Sequence, residues 1–276
     1  MMKANRTFEI IDKGNEKMKK ILLKYFVELT GNPISSNLLK TIAKSKLSKP
    51  LVRPFARIYD INQEEMEYPL YHYQSLNDFF TRRLKNTSRM TDTSPHTLVS
   101  PVDGILSDAG NVAKDRTFQI KGHTYKLDEI FGSESKAEVY NGGFFYIFYL
   151  SPAHYHHFHY PIDGSLLSRY ALGEKSYPVN NLGLRYGDRP FATNYRIVSE
   201  LSTDYGRLAM VKVGALNINS IVLANSQNHF KKGEELGYFT FGSTVIVFLE
   251  RNDDFQPLSN IDSQVLVGQA IGKWMI

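Results

Sequence analysis

The strongest constraint on this chain is a change of texture at Pro95. Beyond it the sequence breaks into short β-rich runs divided by glycine turns, at 97–102, 144–150, 208–213, 218–222 and 244–249. Runs of that length, rich in Val, Ile, Phe and Tyr and closed by glycine, specify strands, and few stretches here have helical period. The expected fold is therefore α+β, with a mainly antiparallel β body, barrel-sandwich-like, over 91–276. Residues 86–96 (NTSRMTDTSPH) divide it from a helical region over 1–90.

The two regions differ in charge. Residues 1–90 hold 17 Lys/Arg against 9 Asp/Glu, whereas 91–276 hold 16 against 19. In the first region Met18, Ile21, Leu22, Tyr25, Phe26 and Leu29 recur at helical spacing, and Thr30-Gly31-Asn32-Pro33 stops that helix. A second helix starts near Ser35 or Ser36 with Leu38, Leu39, Ile42 and Ala43, and a third holds Phe55, Ile58 and Tyr59. Ser75 reads as the N-cap of LNDFFTRRL, with Leu76, Phe79, Phe80 and Leu84 inward.

Basic amphipathic helices of this kind suit an anionic membrane surface, where each nearby cation contributes about 1 kcal/mol. For any single helix, a cap packed on the body with solvated lysines is the plainer reading. Across 1–58, however, 13 Lys/Arg face only 4 Asp/Glu, and that surplus favours the anionic surface. Nucleic acid fits less well, because the apolar faces suit lipid better than a phosphate groove. No apolar run approaches the roughly 20 residues of a membrane span, and the first 17 residues are too polar for a secretory signal. Zero cysteines exclude disulfides, Cys-based zinc sites and a cysteine nucleophile.

Three segments carry candidate chemistry. The first is SPVDG at 100–104, with Asp103. The second, SPAHYHHFHYPIDG at 151–164, packs His154, His156, His157 and His159 into six residues. On a strand, His154 and His156 would point one way and His157 and His159 the other. Imidazoles titrate near neutral pH and serve as base, acid or metal ligand, so zinc held by the cluster and an aspartate is a competing reading. The third segment is Phe241-Gly242-Ser243-Thr244. Glycine leaves its carbonyl sterically open, and a serine behind it can attack that carbonyl once a base removes its proton.

With these segments in place, the chain resembles the phosphatidylserine decarboxylases along nearly its whole length. The matching stretches are SLNDFFTRRL at 75–84, SPVDG at 100–104, KGHTY at 121–125, LSPAHYHHFHYPIDG at 150–164, VGA at 213–215 and KKGEELGYFTFGSTVIV at 231–247. Pro178-Val179-Asn180, Asn194 and Arg196 match as well. The resemblance implies a proenzyme that cuts itself between Gly242 and Ser243, leaving chains 1–242 and 243–276. By that analogy Ser243 attacks the Gly242 carbonyl, His159 deprotonates it, and Asp103 orients the imidazole and stabilises its cation. Ser243 then becomes a covalent pyruvoyl group, which takes the place of pyridoxal phosphate as electron sink.

The implied reaction is decarboxylation of phosphatidylserine to phosphatidylethanolamine and CO2. His156 would serve substrate recognition and proton delivery, Asn180, Arg196 and Thr244 would line the substrate site, and His154 and His157 would be scaffold. No metal is implied. The implied partners are an anionic phospholipid and the cytoplasmic face of the cell membrane, met as a peripheral protein. The two chains of one proenzyme stay together, a homodimer is a candidate assembly, and no nucleic acid takes part. Other readings are a related pyruvoyl enzyme acting on a free amino acid such as tryptophan, a zinc hydrolase using 154–159, and a non-catalytic carrier-like β module.

Overall fold

The computed structural model describes residues 41–275 except 121–122, 178, 180–188, 216–219, 226 and 242. The helix expected over 18–29, Asn180 and Gly242 therefore lie outside the described residues. Of the second expected helix, 41–44 is described and is helical.

Local signals build a small cap before the body. Ser45 accepts a hydrogen bond from the Leu47 N–H and opens a 3-10 turn, Lys46–Leu51, which passes into α1 (Val52–Ile58). The N-cap expected at Ser75 is present: its Oγ accepts from the Asp78 N–H and starts α2 (Leu76–Phe80). That helix ends at Thr81, so Leu84 is only half-buried. Val52, Phe55, Ala56, Leu76, Phe79 and Phe80 form the cap's own apolar core, against which Phe241 of the body packs.

In the body an eight-stranded antiparallel sheet dominates. From edge to edge it runs β11 (His229–Phe230), β7 (Gly164–Leu172), β8 (Arg196–Thr203), β9 (Gly206–Gly214), β13 (Ser243–Leu249), β5 (Phe144–Leu150), β2 (Gly104–Asn111) and β15 (Gln264–Val265). A second sheet has the order β10 (Ile221–Leu223), β12 (Glu235–Phe239), β6 (His157–His159). A third joins β1 (Thr97–Val99), β16 (Ala270–Trp274) and β14 (Phe255–Pro257), and β3 (Thr117–Ile120) pairs with β4 (His123–Lys126). Short helices α3 (Leu127–Phe131), α4 (Glu134–Glu138) and α5 (Pro190–Thr193) pack beside them. The antiparallel body agrees with the sequence reading, but the barrel element does not appear: β11 and β15 remain separate edges.

Both faces of the large sheet are covered, which explains why 144–150 and 244–249 are continuously apolar rather than alternating. Val245, Val247 and Leu249 join one core with Tyr146, Phe148, Leu208 and Met210. Ile246 and Phe248 join the other with Phe145, Ile147, Val211 and Phe131. Alternation along β13 then sets Ser243 on the side of Val245 and Thr244 on the side of Ile246.

Candidate active site

Ser243 opens β13 between two neighbours, opposite Leu150 of β5 and Gly214 of β9. It is fully buried, and its Oγ has no hydrogen-bond partner. The approach to it is fastened by the cap. Asn77 of α2 donates to the Thr240 carbonyl at 3.0 Å, and the Thr240 N–H donates to the Ser220 carbonyl at 2.8 Å. Phe80 lies against Phe241, with ring centroids 5.9 Å apart.

His156 belongs to the same packing unit. Its ring is 3.8 Å from that of Phe80, and its carbonyl accepts the Phe239 N–H at 2.9 Å. Neither ring nitrogen has a partner. Burial, followed by the nearby Arg82 charge, pushes the imidazole well below its ordinary pKa and favours the neutral ring.

His159 is held differently. Its Nδ1 lies 2.8 Å from the Gly233 carbonyl, while Nε2 has no partner. A carbonyl only accepts, so Nδ1 carries the proton and the Nε2 lone pair stays free. Burial lowers its pKa as well. Gly233 is suited to the turn that presents this carbonyl: its φ is +84°, and a Cβ there would stand 2.5 Å from Thr91 Oγ1.

The SPVDG turn is tied to this strand by the backbone, because the His159 N–H donates to the Pro101 carbonyl at 2.8 Å. No hydrogen bond joins Asp103 to His159. Asp103 accepts two bonds from Arg89 Nε, at 2.9 and 3.0 Å, with Arg89 Nη2 also on Oδ2 and the Val267 N–H on Oδ1 at 2.9 Å. Arg89 in turn holds Glu65 at 2.9 Å. In this structure the hydrogen-bond partner of the His159 ring is the Gly233 carbonyl and not Asp103, whose carboxylate is held by a guanidinium. Gly104 permits the tight entry into β2, since a Cβ there would stand 2.8 Å from the Tyr149 carbonyl oxygen.

His154, His157 and Arg196 have structural partners. His157 Nδ1 bonds Glu235 at 2.8 Å and Nε2 bonds the Thr81 carbonyl at 3.1 Å, linking β6 to the end of α2. Burial alone would raise the Glu235 carboxyl, but His157 and Arg83 hold it at about 2. His154 sits in a turn rather than a strand, its Nδ1 accepting from the Ser151 N–H. The expected pairing of its face with His156 is accordingly absent, whereas His157 and His159 do share a face, both against Tyr155.

Arg196 does not turn toward the Ser243 side. Its guanidinium donates to the carbonyls of Glu129 and Ile130 in α3 and of Ala192 and Asn194 at the end of α5. Thr244, on that same opposite side, is buried with its Oγ1 unpartnered. Among the described residues no cluster of His, Asp and Glu could hold a metal ion, which leaves the zinc reading without a ligand set. None of their helices is long and apolar enough to cross a membrane.

Sequence reasoning missed Arg89, Arg82 and Gly233. Arg89 lies in a segment read as a boundary, and Arg82 within a motif read for its apolar face. A lone arginine has no periodicity to reveal its partner.

Known proteins resemble this chain over most of its length. The chain is 44% identical to a phosphatidylserine decarboxylase proenzyme of Halalkalibacterium halodurans, over 94% of this chain and all of that one. It is 46% identical to one of Geobacillus kaustophilus, over 93% and 98% of the two chains. Against one of Bacillus cereus the identity is 43% over 85% and 90%. These relatives define an enzyme class, the decarboxylases. The family model described as phosphatidylserine decarboxylase matches residues 76–273, and the chain belongs to that family.

Proposed function

We propose that this chain is a self-cleaving proenzyme whose mature form decarboxylates phosphatidylserine with a pyruvoyl group made from Ser243. The observation that carries this reading is the buried, unpartnered Oγ of Ser243 at the head of the central strand. A hydroxyl sealed in an interior without a partner is destabilising there, and a chemical task accounts for it.

In the cleavage, His159 Nε2 takes the Ser243 proton as Oγ adds to the Gly242 carbonyl. The Gly242–Ser243 amide breaks as the ester forms, and the freed amine keeps a proton. β-Elimination then releases the 242-residue chain as a carboxylate, and hydrolysis of the resulting dehydroalanine yields ammonia and a pyruvoyl group on the 34-residue chain. The fit of Ser243 to this origin rests on its position: one strand partner on each side fixes the backbone of the new terminus.

The pyruvoyl group, once formed, supplies an electron sink for loss of CO2. The chain's own residues do the rest. Phe80, itself packed on Phe241, covers the His156 ring, and neutral His156 exchanges a proton with the substrate. Arg89 fixes Asp103 within the 100–104 turn, whose Pro101 carbonyl is bonded to β6. Substrate lipid brings the enzyme to an anionic membrane surface. In support, the cap exposes Tyr71 (73%) and Leu47 (85%), the latter set among Lys44, Lys46 and Lys49 in the sequence.

Intact-mass measurement of the purified protein tests this. The expected result is two chains, of 242 and 34 residues, the smaller beginning with a pyruvoyl mass in place of serine. One uncut chain that keeps activity after Ser243→Ala would refute it.

A further inference from the structure

Arg82 has no task in the cleavage just described, yet it is the most conspicuous charge in the seam between cap and body. It follows α2 directly and is 3% exposed. Its Nη2 donates to the carbonyls of Ala153 and His154, at 2.6 and 3.0 Å. Its Nε and Nη1 are buried without any partner. The carboxylates that act on it through space, Asp103 and Glu65, are both engaged by Arg89. Burial brings the guanidinium down only to about 10, so it keeps its charge at neutral pH.

A buried cation with two idle donors and no counter-ion is costly in a folded protein. The Phe79 ring, 5.4 Å from the guanidinium carbon, offsets a small part of that cost. What is missing is an anion. Arg82 and Arg89 line, together with Asp60, Glu65 and Asp103, a cavity of about 610 Å³ between the cap and the body; the idle Nε and Nη1 are sealed from it, so an anion entering there reaches them only once the packing over Arg82 opens.

We propose that Arg82 binds the phosphodiester of the lipid substrate. This rests on the function proposed above, which supplies two anionic groups to choose between. One is the carboxylate that leaves as CO2, and the other is the phosphodiester that survives. A guanidinium clamped on the carboxylate stabilises the ground state more than the transition state, because the charge leaves that group as the bond breaks. The phosphodiester keeps its charge throughout, so holding it anchors substrate and transition state alike. The planar guanidinium fork also matches phosphate oxygens in two-point contact.

The test uses the matured enzyme with phosphatidylserine in mixed micelles, as wild type, Arg82→Gln and Arg82→Lys. Arg82→Gln is expected to raise KM about 30-fold with kcat within about threefold, the pattern of lost uniform binding. Arg82→Lys, which keeps a point charge without the fork, falls between. Inorganic phosphate and glycerol phosphate are expected to compete with substrate in the wild type and about tenfold more weakly in Arg82→Gln. Where Arg82→Gln is not processed or does not fold, Arg82→Lys carries both measurements.

A fall in kcat at unchanged KM would move Arg82 to the reacting carboxylate and overturn the proposal. Equal phosphate inhibition of wild type and variants would do the same. Intact mass separates the two failures, since an uncut, active wild type refutes the pyruvoyl reading alone. Thermal protection by inorganic phosphate, present in wild type and lost in the variants, is then the remaining readout for Arg82.

Discussion

Strand β13 passes through two kinds of surroundings within seven residues. From Val245 to Leu249 every side chain is buried among apolar neighbours on one face of the sheet or the other. At Ser243 and Thr244 burial is equally complete, but the hydroxyls have no partner. The same contrast holds across the molecule. Among the described residues 13 buried side-chain polar atoms lack a partner, and eight belong to Tyr73, Arg82, His156, His159, Ser243 and Thr244. Tyr73 and Arg82 come from the cap, the other four from the body. Unpartnered buried polar atoms destabilise, so each of these positions is a point at which the fold gives up stability, while the apolar stretch of the sheet supplies it.

That division can be broken in order of effect. Ser243→Ala is expected to abolish cleavage and activity, while thermal unfolding shows a chain at least as stable, because an idle buried hydroxyl has gone. Mass spectrometry and calorimetry check the two halves. A loss of fold with the loss of cleavage would show that Ser243 belongs to the sheet and not to the site.

His159→Gln is expected to slow cleavage by about 10³-fold, through loss of a general base. The gel-resolved processing rate reads this, and a change below tenfold would move the base elsewhere. Phe248→Ala makes the opposite case. Removing a fully buried ring from the sheet is expected to cost about 3–5 kcal/mol in denaturant unfolding and to leave the pH profile of cleavage unchanged in the folded fraction.

The smallest effect is in pH. His154, His156 and His159 are each pushed by burial below their ordinary value. The unfolded chain therefore binds protons first, near about pH 6.5, and stability falls as pH drops through and below that point. Denaturant midpoints of Ser243→Ala at pH 7, 6 and 5 should decline in that order. Adding Phe80→Ala, which exposes His156 to water, should shallow the decline. An unchanged slope would mean that Phe80 does not keep that imidazole dry.

Much of the fold was legible locally. Ser75 capped its helix as expected, because an N-cap bond spans only three residues. The runs at 144–150 and 244–249 became β5 and β13, because apolar β-formers specify a strand whatever it pairs with. The candidate residues Asp103, His156, His159 and Ser243 were legible as chemistry, each of a type and in a motif that suits it.

Their partners were not. Sequence alone determined the strands at 144–150, 208–213 and 244–249, where the polar reactive groups lie along the chain, and that the N-terminal third is basic. Only the tertiary structure decided that Arg89 takes Asp103, that the Gly233 carbonyl, 74 positions from His159, sets its tautomer, and that Arg196 serves helix ends. The physical reason lies in range. Propensity and capping act over a few residues, whereas a hydrogen-bond partner is fixed by strand register. A shift in pairing such as that between Glu235 and Gly237 on β12 re-aims every side chain beyond it.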